Sequence, residues 1–116
     1  MRHRKKLVRL NMGVGQRTSL LRNCAASVLL HERVRTTAAR ARAVQPLVER
    51  SITVGREPTL TNRRTLLAML GNPRVVAKVL EVIGPRYRTR RGGCTRITRL
   101  GQRVGDGAPM VQIELV

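Results

Sequence analysis

The stretch from Pro85 to Arg103 most restricts what this chain can become, because it carries seven arginines (Arg86, Arg88, Arg90, Arg91, Arg96, Arg99 and Arg103) and no acid. Guanidinium groups stay charged at any physiological pH and are almost never buried without a partner, so these arginines are confined to the surface. Gly92 and Gly93, in the middle of the segment, let the backbone pass close to another molecule. Beyond them Thr95, Ile97 and Arg99 alternate with Arg96, Thr98 and Leu100, the period of an edge or half-exposed strand with arginines on both faces. With no acid inside the segment, an anionic partner is expected to complete it, and the stretch reads as a surface that grips phosphate.

At 116 residues the chain has the length of one domain. Tyr87 is its single aromatic residue, so Leu, Val, Ile, Met and Ala must supply the core. Lys and Arg number 24 against 6 Asp and Glu, a net charge of +18. Arginine dominates this excess, and its planar fork can hold a phosphate through two hydrogen bonds. Such self-repulsion implies a polyanionic partner. Cys24 and Cys94 have neither metal-ligand nor disulfide-framework spacing, which points to a reducing compartment. No apolar run is long enough to span a membrane, and Met1-Arg2-His3-Arg4-Lys5-Lys6 lacks the apolar core of a secretory signal. The expected location is the cytoplasm, or an organelle in mature form.

Residues 1–15 hold Arg2, His3, Arg4, Lys5, Lys6 and Arg9 with no sustained period, and are expected to form a basic arm that orders on a nucleic acid. Residues 16–116 form the single domain. From Gln16 to His31, Leu20, Leu21, Cys24, Ala25, Val28 and Leu29 recur at three and four, one face of a helix that leaves Arg17 and Arg22 off the stripe. Arg33-Val34-Arg35-Thr36 has the composition of a short strand. Thr36 or Thr37 caps a second helix reaching about Ser51, which Pro46 either bends or delays. A third helix begins near Asn62-Arg63-Arg64 and stops at Gly71; a fourth starts at Asn72-Pro73 and stops at Gly84-Pro85. Met110 to Val116 alternates as a strand that pairs with Cys94–Leu100 in a hairpin. The fold class expected is α+β: four helices on a small mixed sheet with a C-terminal hairpin.

Catalysis has little to work with. The acids show no paired spacing, and His3 and His31 have no ligand-type neighbours at metal spacing, so neither metal nor cofactor is expected. His31 and Glu32 are adjacent, and adjacent helical side chains diverge, which suits capping or packing rather than acid–base work. Gly13-Val14-Gly15 and Gly105-Asp106-Gly107 lack the lysine of a phosphate-binding loop. No base-reading module is recognisable, which leaves backbone and shape recognition. Electrostatics alone does not choose between folded RNA and duplex DNA, so a DNA-packaging or regulatory protein remains the rival reading.

The residues nonetheless carry a resemblance along the whole chain. Its motifs are Met1-Arg2-His3-Arg4-Lys5, Leu21-Arg22-Asn23, His31-Glu32-Arg33 with Thr36-Thr37, Arg40-Ala41, Asn62-Arg63-Arg64, Pro85-Arg86-Tyr87, Gly92-Gly93 followed by Thr95-Arg96-Ile97, and Gly105-Asp106-Gly107-Ala108-Pro109-Met110 leading to Ile113-Glu114-Leu115. Together they resemble the family of the seventeenth protein of the bacterial-type large ribosomal subunit. The resemblance implies a non-enzymatic structural constituent that supports translation near the peptide exit region. Its implied partners are large-subunit ribosomal RNA and neighbouring large-subunit ribosomal proteins, with no membrane and no small-molecule substrate. The family's usual tyrosine after Gly92-Gly93 is Cys94 here, which removes a ring able to stack on a base. The residues expected to meet RNA are Arg2, His3, Arg4, Lys5, Lys6, Arg9, Arg17, Arg22, Arg35, Arg63, Arg64, Arg86, Arg88, Arg90, Arg91, Arg96 and Arg99.

Overall fold

The structure, a computed structural model, describes residues 10–116. The first helix, α1 (Val14–His31), starts within the stretch expected to be arm and buries Ala25, Val28 and Leu29, as the heptad-like spacing requires. It ends at Glu32, which takes the left-handed conformation with φ 65° and donates its N–H to the Val28 carbonyl. A non-glycine residue pays about 1–2 kcal/mol for that conformation. Three interactions offset it. The Glu32 carbonyl accepts the Leu115 N–H at 2.9 Å, and its carboxylate faces Arg86 and Lys78.

Strand β1 (Arg33–Thr37) leads directly into α2 (Ala38–Gly55), and of the two candidate caps it is Thr37 whose hydroxyl accepts the Arg40 N–H. Helix α2 runs through Pro46 and beyond Ser51 to Gly55. Pro46 lies on the exposed side of the helix, while Ala41, Val44, Val48 and Ile52 continue the buried stripe on the opposite side. Burying each of the larger aliphatic side chains contributes about 1.5–3 kcal/mol, enough together to carry the helix past the proline's penalty of about 3 kcal/mol.

Helix α3 (Leu60–Leu70) starts earlier than expected because Thr59, whose hydroxyl accepts the Asn62 N–H at 3.1 Å, is the cap. Gly71, at φ 70°, closes it. Helix α4 (Pro73–Lys78) begins as its sequence signals, with the Asn72 carboxamide oxygen accepting the Arg74 N–H at 3.0 Å. Gly84-Pro85 does not stop it. The helix widens into a π turn over Val79–Ile83 and finishes as one more turn, Gly84–Arg86. Gly84 is there for proximity: a Cβ would lie 2.0 Å from the Gly55 carbonyl oxygen, so the two helices meet backbone to backbone.

Strands β2 (Thr95–Gln102) and β3 (Pro109–Leu115) form the expected hairpin, and β3 takes the centre of a three-stranded sheet in the order β1-β3-β2. Every pairing is antiparallel, where a mixed sheet was expected. The reason is that both outer strands pair with β3 alone: the hairpin turn reverses β2, and the tight exit from α1 at Glu32 sets β1 against β3 as well. Val34, Ile113 and Ile97 share a register row on the side facing α2, and Ile113 is fully buried. The core is aliphatic apart from Tyr87 and Cys94.

Candidate nucleic-acid interface

Folding divides the positive side chains into two groups. In the first, they hold the protein together. Arg86 Nη1 lies 2.6 Å from Glu32 Oε1, close enough for the charges to carry the contact without a straight hydrogen bond. Lys78 Nζ donates to the Leu30 carbonyl at 2.6 Å and stands 3.7 Å from the same carboxylate. Arg22 donates to the Ala68 carbonyl, one of the otherwise unpaired acceptors in the last turn of α3. Arg56 donates to the Arg90 carbonyl and so ties the end of α2 to the basic loop. On the outer face of the sheet Arg33, Glu114 and Arg96 share a register row, with Glu114 3.4 Å from Arg33 and 3.2 Å from Arg96.

This corrects the expectation that nothing but an external anion completes the Arg86–Arg103 segment. Arg86 and Arg96 take acids from α1 and β3, and Arg103 takes Asp106 across the hairpin turn at 2.5 Å. The segment itself has no such acids; the strand register and the exit from α1 supply them. Arg103 and the Ala108 N–H hold the Asp106 carboxyl well below the usual carboxylate range.

In the second group the guanidinium groups face solvent. Arg35, Arg63, Arg64, Arg88, Arg90, Arg91 and Arg99 are exposed and have no acid within 4.0 Å among the described residues. Arg90 turns its Nε–H toward the Gly92 carbonyl at 3.3 Å. The loop carrying Arg88 to Arg91 is anchored at both ends, by the Tyr87 hydroxyl donating to the Val116 carbonyl and by buried Cys94, whose carbonyl accepts the Val116 N–H at 2.9 Å. Cys94 therefore packs in the core and exposes nothing to a base. Arg17, expected at the surface, is 9% exposed. The Arg2, His3, Arg4, Lys5, Lys6 and Arg9 expectations lie outside the described residues.

Sequence reasoning missed Arg40, Arg42, Arg50 and Arg74, all exposed with no acid within 4.0 Å among the described residues. For the α2 arginines a signal existed: they lie off the Ala41, Val44, Val48, Ile52 stripe and so had to face outward. Burial pushes the Cys24 thiol up, an effect Arg40 partly opposes, so the sulfur remains a protonated packing group. Among the described residues no three His, Cys, Asp or Glu side chains gather as for a metal ion, and no helix is long and apolar enough to cross a membrane.

Comparison with known proteins gives one consistent family. A family model described as "Ribosomal protein L17" matches residues 20–116. "Large ribosomal subunit protein bL17" of Thermomicrobium roseum is 50% identical over 116 residues, covering 100% of this chain and 99% of the relative. The protein of the same description from Syntrophotalea carbinolica is 45% identical over 116 residues, covering 100% of this chain and 75% of the relative.

Proposed function

The chain belongs to the ribosomal protein L17 family, and from that premise we propose that it is a non-enzymatic structural constituent of the large ribosomal subunit, binding large-subunit ribosomal RNA through arginine–phosphate contacts. The observation that carries this reading is the segregation of charge. Glu32, Glu49, Asp106 and Glu114, four of the six acids, are engaged inside the protein, while acid-free arginines stand outward on β1, α2, α3, the Arg88–Arg91 loop and β2. Guanidinium groups spread over separate rigid elements neutralise phosphates from different stretches of a folded polymer at once, which braces its shape with little reading of sequence. A site beside neighbouring large-subunit proteins near the peptide exit region, on cytoplasmic ribosomes, rests on the family likeness.

The test is binding of the full chain to large-subunit RNA as salt is raised, with duplex DNA as competitor, alongside sedimentation of cell extracts. For roughly 6–10 phosphate contacts the affinity falls about three to five orders of magnitude between about 50 and 200 mM salt. The protein is expected in large-subunit fractions at moderate salt. Preference for duplex DNA together with absence from those fractions would overturn the reading.

A further inference from the structure

Between the first half of α2 and the far half of the β2–β3 hairpin lies an open cleft of about 720 Å³. Ala38, Arg42, Gln45 and Glu49 recur at four, three and four residues and share one face of α2. Two of them close one end of the cleft: Gln45 Nε2 donates to the Thr95 hydroxyl at 2.9 Å, and that hydroxyl donates to Glu49 Oε1 at 2.9 Å. The rest of the cleft is lined by Arg42 from the helix and Arg99 from the strand. Arg99 reaches this side because it stands in register with buried Val111, on the sheet face opposite to Arg96. Ile97 and Val111, which share the sheet face turned to α2, supply an apolar floor, and Gln102 adds a second carboxamide to that of Gln45.

We propose that this cleft seats one unstacked nucleotide of the bound RNA, its base on the Ile97–Val111 floor and its phosphate between Arg42 and Arg99. The inference rests on the RNA-binding reading and adds to it a place where a base, not only the backbone, is held. Both arginines are exposed with no acid within 4.0 Å among the described residues, so the cleft selects an anion. Its apolar floor takes a planar ring, its carboxamides suit a base edge, and arginine planes stack on bases. Its volume lies within the roughly 300–1,000 Å³ of pockets that hold small organic groups. A peptide strand is the poorer occupant. The free edge of β2 is broken by a register shift between Arg99 and Gly101, where Gly101 has φ 119°, and such a bulge interrupts the row of groups an added strand would pair with.

The test compares full-length variants by affinity for large-subunit RNA, salt slope and chemical probing of the RNA, with circular dichroism and melting to verify folding. Arg42→Gln with Arg99→Gln is expected to weaken binding about tenfold and to reduce the salt slope by about 0.7, the share of one single-stranded phosphate. Ala38→Leu fills the cleft without altering charge and is expected to weaken binding about fivefold with the slope unchanged, as loss of one stacked base does. Both variants should restore solution reactivity to the same unpaired nucleotide. Folded variants that bind and footprint like the parent overturn the seat while leaving the RNA reading intact. An unchanged footprint with release of a neighbouring protein from assembled subunits makes the occupant a peptide and also overturns it. Failure of the parent chain to bind large-subunit RNA removes the reading and the seat together.

Discussion

Arg86, which joins the junction at Glu32, and the loop from Arg88 to Arg91 are neighbours along the chain, yet the fold uses their positive charges in opposite ways. At the junction Arg86 and Lys78 direct their charge onto one carboxylate, and three elements meet there: the end of α1, the α4 region and, through the Leu115 N–H, β3. Just beyond, Arg88 and Arg91 stand exposed with no acid within 4.0 Å among the described residues. Net charge is therefore a poor guide to how much of a basic protein is available to a partner. What matters is which cations lack an internal acid once the chain has folded.

The comparison can be broken by substitutions that act on one region and not the other. The largest effect is expected beneath the junction, where Gly84→Ala sets a Cβ 2.0 Å from the Gly55 carbonyl oxygen while Gly55→Ala meets a Val79 methyl at 2.4 Å. Backbone yields less readily than a side-chain methyl, so Gly84→Ala should cost about 3 kcal/mol and Gly55→Ala about 1–2 kcal/mol in urea unfolding. Equal losses would show that the close approach is not backbone-limited.

Next comes the loop. Arg88→Gln with Arg91→Gln is expected to leave stability within about 0.5 kcal/mol, while RNA affinity falls about tenfold and the salt slope drops by about 1.4. Glu32→Gln should do the converse, lowering stability by about 1 kcal/mol, since the pair is partly solvated, with no loss of RNA affinity and no shallower salt slope. An exchange of these two outcomes would abolish the distinction between regions. Glu114→Gln sharpens it, because the substitution releases Arg33 and Arg96 from their shared acid. RNA should then bind about two- to threefold more tightly, with a slope steeper by up to about 1.5; weaker binding would mean that Glu114 holds those arginines in their productive positions.

The smallest effect concerns acid. The folded carboxyl of Asp106 titrates below its unfolded counterpart, owing first to Arg103 and then to the Ala108 N–H. Its contribution is full above the ordinary carboxylate range, fades as pH falls below that range and is gone once pH reaches the depressed value. The Ala108 amide resonance should hold its position down to about pH 3, whereas movement between about pH 5 and 4 would indicate an unheld turn.

Much of this architecture was legible from local chemistry. The α1 stripe, the Asn72-Pro73 start, the Gly71 stop and the alternation in β2 and β3 each involve residues a few positions apart, and the structure keeps them. Helix ends were read less well where packing overrode a local breaker. Pro46 is passed because it sits on the exposed side of α2 while the far side is buried, and Gly84-Pro85 is passed because Gly84 serves contact with Gly55. The candidate interface was legible as a surplus of arginine but not as a surface. Arg17 is buried and Arg22 is bonded to Ala68, whereas Arg42, overlooked among polar residues, lines a cleft.

The residues alone determined the order and type of most elements, the helix start at Asn72-Pro73 and stop at Gly71, the aliphatic character of the core and a large surplus of positive charge. All of these follow from backbone conformation, side-chain spacing and summed charge, which are local or compositional quantities. Only the tertiary structure decided that Arg86 meets Glu32, that Arg96 meets Glu114, and that Arg42 and Arg99 line one cleft. Those encounters depend on distances between residues remote in the chain, set by the exit from α1, the central position of β3 and the packing of α2 on the sheet, and no short stretch of residues encodes them.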